Sequence, residues 1–175
     1  LDTRSDPVRL KAGVSSAQWS LVMLRNLAFV VGCAVIQVLS ITAPVWAADF
    51  GTAEEAKAML ERAVAAVEED KVKALDMFNK GEGGFKDRDL YVFCANASDG
   101  IITAHPYGDK GKHLGDIEDM HGARLGETIM QNATDGTIKE TTYWWPRHGG
   151  TGEVLEKTAF YTKAGDQICG VGYYK

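Results

Sequence analysis

Five short runs rich in aromatic and β-branched residues fill the second half of this chain. They are LYVFCAN from Leu90, IITAH from Ile101, TIKETTYWWP from Thr137, EVLEKTAFYTK from Glu153 and QICGVGYYK from Gln167. Runs of this composition read as strands, and the connections between them set their direction. Ser98-Asp99-Gly100, Arg147 to Gly152 and Ala164-Gly165-Asp166 are hairpin turns. A parallel pair would need a crossover of roughly a dozen residues or more, so the sheet of about five strands is predicted to be antiparallel. The longer connection from His105 to Gly136 holds a loop and a short amphipathic helix, Gly122 to Ala133, with Leu125 and Ile129 on one face.

Before the strands, Thr52-Ala-Glu-Glu55 has the form of a capping box, in which hydroxyl and carboxylate satisfy free amides reciprocally. Ala56, Met59, Leu60, Ala63, Val64 and Val67, then Val72, Leu75 and Phe78, recur at helical spacing up to Asn79-Lys80-Gly81. The spacing predicts a helix of about 27 residues, kinked or split near Asp70. A long helix followed by antiparallel strands places the chain in the α+β class.

The first 47 residues belong to a different regime. Arg25 precedes an apolar run, Leu27 to Ala47, that ends in Val45-Trp46-Ala47. Basic flank, apolar run and small-residue exit are the marks of a secretory signal, residues 23–47, cleaved after Ala47. Gln37, Ser40 and Thr42 are its only breaks, and Leu27 to Ile41 is 15 residues, short of the roughly 20 that span a bilayer. The alternatives are an uncleaved anchor and a lipid on Cys33, whose setting Val30-Val31-Gly32-Cys33 loosely resembles a lipoprotein box. Residues 1–22 read as sequence upstream of the true start, and residues 48–175 as one domain. Export to the periplasm is the expected localisation.

Charge excludes some partners. Lys and Arg number 19 against 24 Asp and Glu. Removing the first 47 residues leaves 15 and 22, a net charge of −7. Nucleic acid needs a basic footprint and is not an expected partner. His113, Asp116, Glu118, Asp119 and His121 have neither EF-hand nor HExxH spacing, so no metal is assigned to them. No cofactor is expected, and Cys94, in mid-strand, lacks the local setting of a catalytic nucleophile. The chain is not expected to be an enzyme.

The succession DRDLYVF, SDG, AHP, GKHLGDIEDMHG, YWWP, EKTAFY and CGVGYYK resembles the single Cache domain family of bacterial extracytoplasmic sensors, over about Thr52 to Lys175. The resemblance implies a PAS-like antiparallel sheet with the long helix on one face. The short helix and loop would then cover a ligand face on the other. It further implies a small-molecule ligand, a small organic acid or an amino acid. The matching positions are Tyr91, Phe93, His105, Tyr143, Trp145, Lys157 and Tyr173. Strand alternation independently puts Tyr91 with Phe93, and Tyr143 with Trp145, on common faces. Rings that exclude water around one ammonium suit a small carboxylate.

Two positions depart from the family pattern: Phe160, followed by Tyr161, stands where a Tyr is usual, and Trp144 where a polar residue is commoner. The first and last strands of a PAS-like sheet are neighbours, which implies a disulfide between Cys94 and Cys169 in an oxidising compartment. With no output module in the sequence, the domain is expected to act through a membrane receptor, histidine kinase or transporter, and as a homodimer in one arrangement. The competing reading is an interaction module with a vestigial pocket, for which Trp144 is the support.

Overall fold

A computed structural model describes residues 50–148 and 151–175. The proposed signal segment 23–47, its Cys33 and the upstream residues 1–22 lie outside the described residues.

Helix α1 (Ala53–Lys80) begins at the capping box: the Thr52 hydroxyl accepts from the Glu55 amide, and the Glu55 carboxylate accepts from the Thr52 amide. Gly81, at φ 69°, ends it in the left-handed conformation that glycine adopts without steric cost. Asp70 is non-helical (φ −151°, ψ 92°), and its carboxylate caps the restarted helix by accepting from the Lys73 amide at 3.1 Å. This break resets the helical phase. Ala74 and Phe78 are buried beyond it, whereas Val72, expected on the apolar face, is 77% exposed.

Six strands follow: β1 (Lys86–Asp87), β2 (Leu90–Asn96), β3 (Ile102–Ala104), β4 (Lys139–Pro146), β5 (Val154–Ala164) and β6 (Gln167–Tyr174). Their order is β1-β2-β6-β5-β4, with β3 also paired to β2, and every pair is antiparallel. The sheet thus has the five expected strands plus the two-residue β1. A 3-10 turn (Leu114–Asp116) and helix α2 (Leu125–Asn132) occupy the connection between β3 and β4.

The central sheet separates two cores. On one face α1 packs Met59, Leu60 and Phe78 against Leu90, Val92 and Val171. The other face joins Tyr143, Ala159, Tyr161 and Ile168 to Leu114, Leu125 and Ile129. Cys94 and Cys169 are direct partners across β2 and β6, fully buried on the α1 side and joined as a disulfide.

Candidate functional site

The face away from α1 holds a cavity of about 60 Å³. This is far below the roughly 300–1,000 Å³ of sites for drug-sized ligands. Tyr91 and Phe93 reach it from β2, Tyr143 and Trp145 from β4, and His105 from the loop after β3. Asp109 and a wall of Ile102, Leu114, Ile117, Leu125 and Ile129 complete the lining. The strand alternation read from the sequence therefore brings both aromatic pairs to one cavity.

Lys157 stands behind the Tyr91 side of that lining and has no exposed surface. Its stem runs from β5 across β6 at Gly172, where an added Cβ would lie 2.5 Å from Lys157 Cε and 3.0 Å from the Tyr143 hydroxyl. At Gly170 an added Cβ would meet Phe93 Cζ at 2.5 Å. The Gly-x-Gly of the last strand is thus a groove in which Phe93 and Lys157 lie flat on the sheet. Nζ of Lys157 donates to the Tyr91 hydroxyl at 3.3 Å. It also lies 4.4 Å from the Tyr91 ring centroid and 4.7 Å from that of Tyr174, within cation–π range. One hydrogen bond for three donors leaves a buried ammonium undercompensated. Burial lowers its pKa to about 7; nearby Asp89 opposes this fall and Arg147 adds to it.

Burial also pushes the Tyr91 and Tyr143 phenols upward, so both stay protonated as donors. The Tyr143 hydroxyl hydrogen-bonds no group among the described residues. His105 Nδ1 accepts from the Tyr107 amide at 3.3 Å. That bond assigns its proton to Nε2, which faces Asp109 Oδ2 at 3.6 Å. Burial lowers the His105 pKa to about 4 despite Asp109, leaving a neutral imidazole at pH 7.

The surrounding groups were not legible in the sequence. Tyr91 meets His105, Tyr107 and His148 edge-on at 5.0–5.5 Å, and Tyr107 stacks on His148 at 3.9 Å. Beyond Tyr174, the Arg147 guanidinium lies 4.6 Å from that ring and 3.7 Å from Phe50. Its Nε is 3.2 Å from Asp89 Oδ2, while Asp89 Oδ1 accepts from the Gly51 amide at 2.7 Å.

Tyr173 is elsewhere: it stacks on Phe160 at 5.5 Å in the α1-side core. The last-strand ring beside Lys157 is Tyr174, as alternation from Gly170 and Gly172 requires. Tyr161, not Phe160, lies on the cavity side, buried but outside the lining. Trp144 is 38% exposed and lies against His121 at 5.0 Å. Asp119 ties the covering loop to β4, accepting from the His121, Ala123 and Trp144 amides.

No curated protein matches the chain. Among solved structures, a methyl-accepting chemotaxis protein from Vibrio parahaemolyticus superposes with a TM-score of 0.55 at 21% identity, covering 69% of this chain and 86% of that one. The periplasmic sensor domain of a chemotaxis protein gives 0.51 at 20% identity, covering 69% and 88%. These two likenesses establish a shared fold. The family model for single Cache domain 2 matches residues 48–174, the whole helix-and-sheet unit around the cavity, and the chain belongs to that family.

Proposed function

We propose that this protein is an exported sensor domain that takes a small carboxylate into the cavity and signals through a separate partner. That partner is a membrane receptor, a histidine kinase or a transporter. In this reading Lys157 supplies the counter-charge, the Tyr91 and Tyr143 hydroxyls donate, and the aliphatic wall receives the rest of the ligand. Residues 23–47 serve as the cleaved export signal, and the domain binds rather than catalyses. Among the described residues no helix is long and apolar enough to cross a membrane.

The observation that carries the reading is Lys157, fully buried with one hydrogen bond. An ammonium so placed disfavours the ligand-free fold, and an anion at the cavity would relieve that cost. The domain's net charge of −7 repels anions at long range, so the attraction has to be local.

The test is a thermal-shift screen of acetate, propionate, pyruvate and lactate against the exported protein. A ligand at 100 times its Kd adds about 2.7 kcal/mol to stability. Lys157→Ala should weaken binding roughly 10- to 150-fold, and Lys163→Ala should leave it unchanged. A ligand that Lys157→Ala holds as tightly as wild type would remove the assignment. The interaction-module reading draws on a different place, the exposed Trp144 and Met120 beside the β4 edge. It is favoured if no metabolite shifts the melting temperature.

A further inference from the structure

We infer that a groove behind the cavity wall docks an amphipathic, acidic helix of the partner protein. The inference rests on the reading that the domain acts through a separate partner, and it places that partner's contact.

The groove, about 540 Å³, lies between the second half of α1 and β3 with its flanking loop. Helix α1 contributes Val72, Leu75, Asp76 and Asn79, spaced i, i+3, i+4 and i+7, one stripe about 10 Å long. The break at Asp70 produces this stripe. Beyond it Ala74 and Phe78 turn into the core, and Val72 is left 77% exposed. Ile101, 38% exposed, lines the opposite wall. Exposed aliphatic side chains gathered along one groove, rather than scattered singly, mark an interaction surface.

The backbone decides the form of the occupant. Helix α1 keeps helical geometry along the stripe. Across the groove, the Ile102 amide donates to the Lys112 carbonyl and the Ile102 carbonyl accepts from the Gly111 amide. The Thr103 carbonyl accepts from Asn79 Nδ2 at 3.0 Å. Neither wall offers a row of free peptide groups to an added strand, so the groove binds through side chains, as in helix-in-groove recognition.

Charge decides the occupant's sign. Asp76 pairs with Lys80 at 2.7 Å, and Asp109 in the flanking loop pairs with Lys112 at 2.6 Å. Lys110, exposed at the rim, has no ionic partner among the described residues. The surplus at the groove is therefore one cation, in a domain of net charge −7. Screening over about 8 Å makes Lys110, not the distant acids, the charge that an incoming carboxylate meets.

The groove and the cavity share a wall. Ile102 lines both. Asn79, in the groove, holds the cavity's loop: its Oδ1 accepts from the His105 amide at 3.1 Å. A helix seated on Val72 and Asn79 thus bears on the strand and loop that carry Ile102 and His105.

The experiment titrates the exported, disulfide-bonded protein with three helical peptides of about 20 residues. One carries leucines at i, i+3, i+4 and i+7 among glutamates, the second has lysine for glutamate, and the third is a scramble of the first. Wild type, Val72→Asp and Lys110→Glu are compared by NMR shift mapping. The striped acidic peptide should bind wild type with shifts confined to residues 72–79 and 101–111. It should bind roughly 2- to 5-fold tighter than the basic one, the range of an exposed ion pair. Val72→Asp should weaken it at least about tenfold through lost burial, and Lys110→Glu should reverse the preference. A scramble that binds as tightly, a preference that survives Lys110→Glu, unchanged binding to Val72→Asp, or no binding at all overturns the inference. A wild-type dimer that Val72→Asp dissociates in sedimentation makes a second copy the occupant and also overturns it. Carboxylate binding at the cavity, read by thermal shift, should persist in both variants, so failure of the groove and failure of the cavity reading appear in different assays.

Discussion

Replacing Lys157 by methionine should stabilise the ligand-free protein at pH 6 while weakening carboxylate binding. A pKa lowered from 10.5 to about 7 corresponds, at about 1.4 kcal/mol per pH unit, to about 5 kcal/mol opposing folding whenever Lys157 is charged. The sign follows from proton counts. The unfolded chain keeps the proton up to about pH 10.5, whereas the folded one releases it near pH 7. Stability therefore climbs between those values, and the full cost is present below pH 7. Methionine matches the lysine stem in volume and brings no charge. It does leave the Tyr91 hydroxyl without its 3.3 Å partner, a loss of about 1–3 kcal/mol. The balance at pH 6 is a gain of about 2–4 kcal/mol. Above pH 7 the advantage should shrink by up to about 1.4 kcal/mol per pH unit, because only wild type gains from deprotonation. Urea denaturation of both proteins at pH 6, 7, 8 and 9, without reductant, measures the difference directly. A variant less stable than wild type at pH 6, or a difference independent of pH, would refute the argument that burial makes this lysine costly.

Three further outcomes are expected. Gly172→Ala places a methyl group 2.5 Å from Lys157 Cε; it should cost about 1–3 kcal/mol as overpacking and weaken carboxylate binding, both readable in one ligand-dependent melting series. Removing the Cys94–Cys169 bridge, which spans 75 residues, should lower stability by about 4–5 kcal/mol in the chain-entropy account; Cys94→Ala/Cys169→Ala compared with wild type in denaturant measures it. Intact-mass analysis of the exported protein should find Ala48 at the amino terminus, and a lipid-modified Cys33 there would contradict the signal assignment.

The parts of the fold set by local chemistry were open to reading before any coordinates. Thr52 and Glu55 cap α1 because a hydroxyl and a carboxylate three residues apart reach each other's amides. Tyr91 with Phe93, and Tyr143 with Trp145, share a face because strands alternate with period two. The same alternation, counted from the two glycines of the last strand, would have selected Tyr174 over Tyr173. Asp70 was legible as a break, but its effect on Val72 was not, since the new helical phase depends on how α1 rests on the sheet.

The sequence by itself determined the class of fold, the antiparallel sense of the sheet and the shared faces of Tyr91 with Phe93 and of Tyr143 with Trp145. All of these follow from periodicity and from turns acting over a few residues. Tertiary structure alone decided what Lys157 is. A lysine on a strand ordinarily faces water. Here it is sealed because β6 places Gly172 beside it and β2 holds Tyr91 at its end. Arg147 likewise acquired its neighbour Asp89 from a loop that meets it only when the sheet is assembled. Charge and burial are properties of a neighbourhood, and in this chain the neighbours come from strands and loops far apart in sequence.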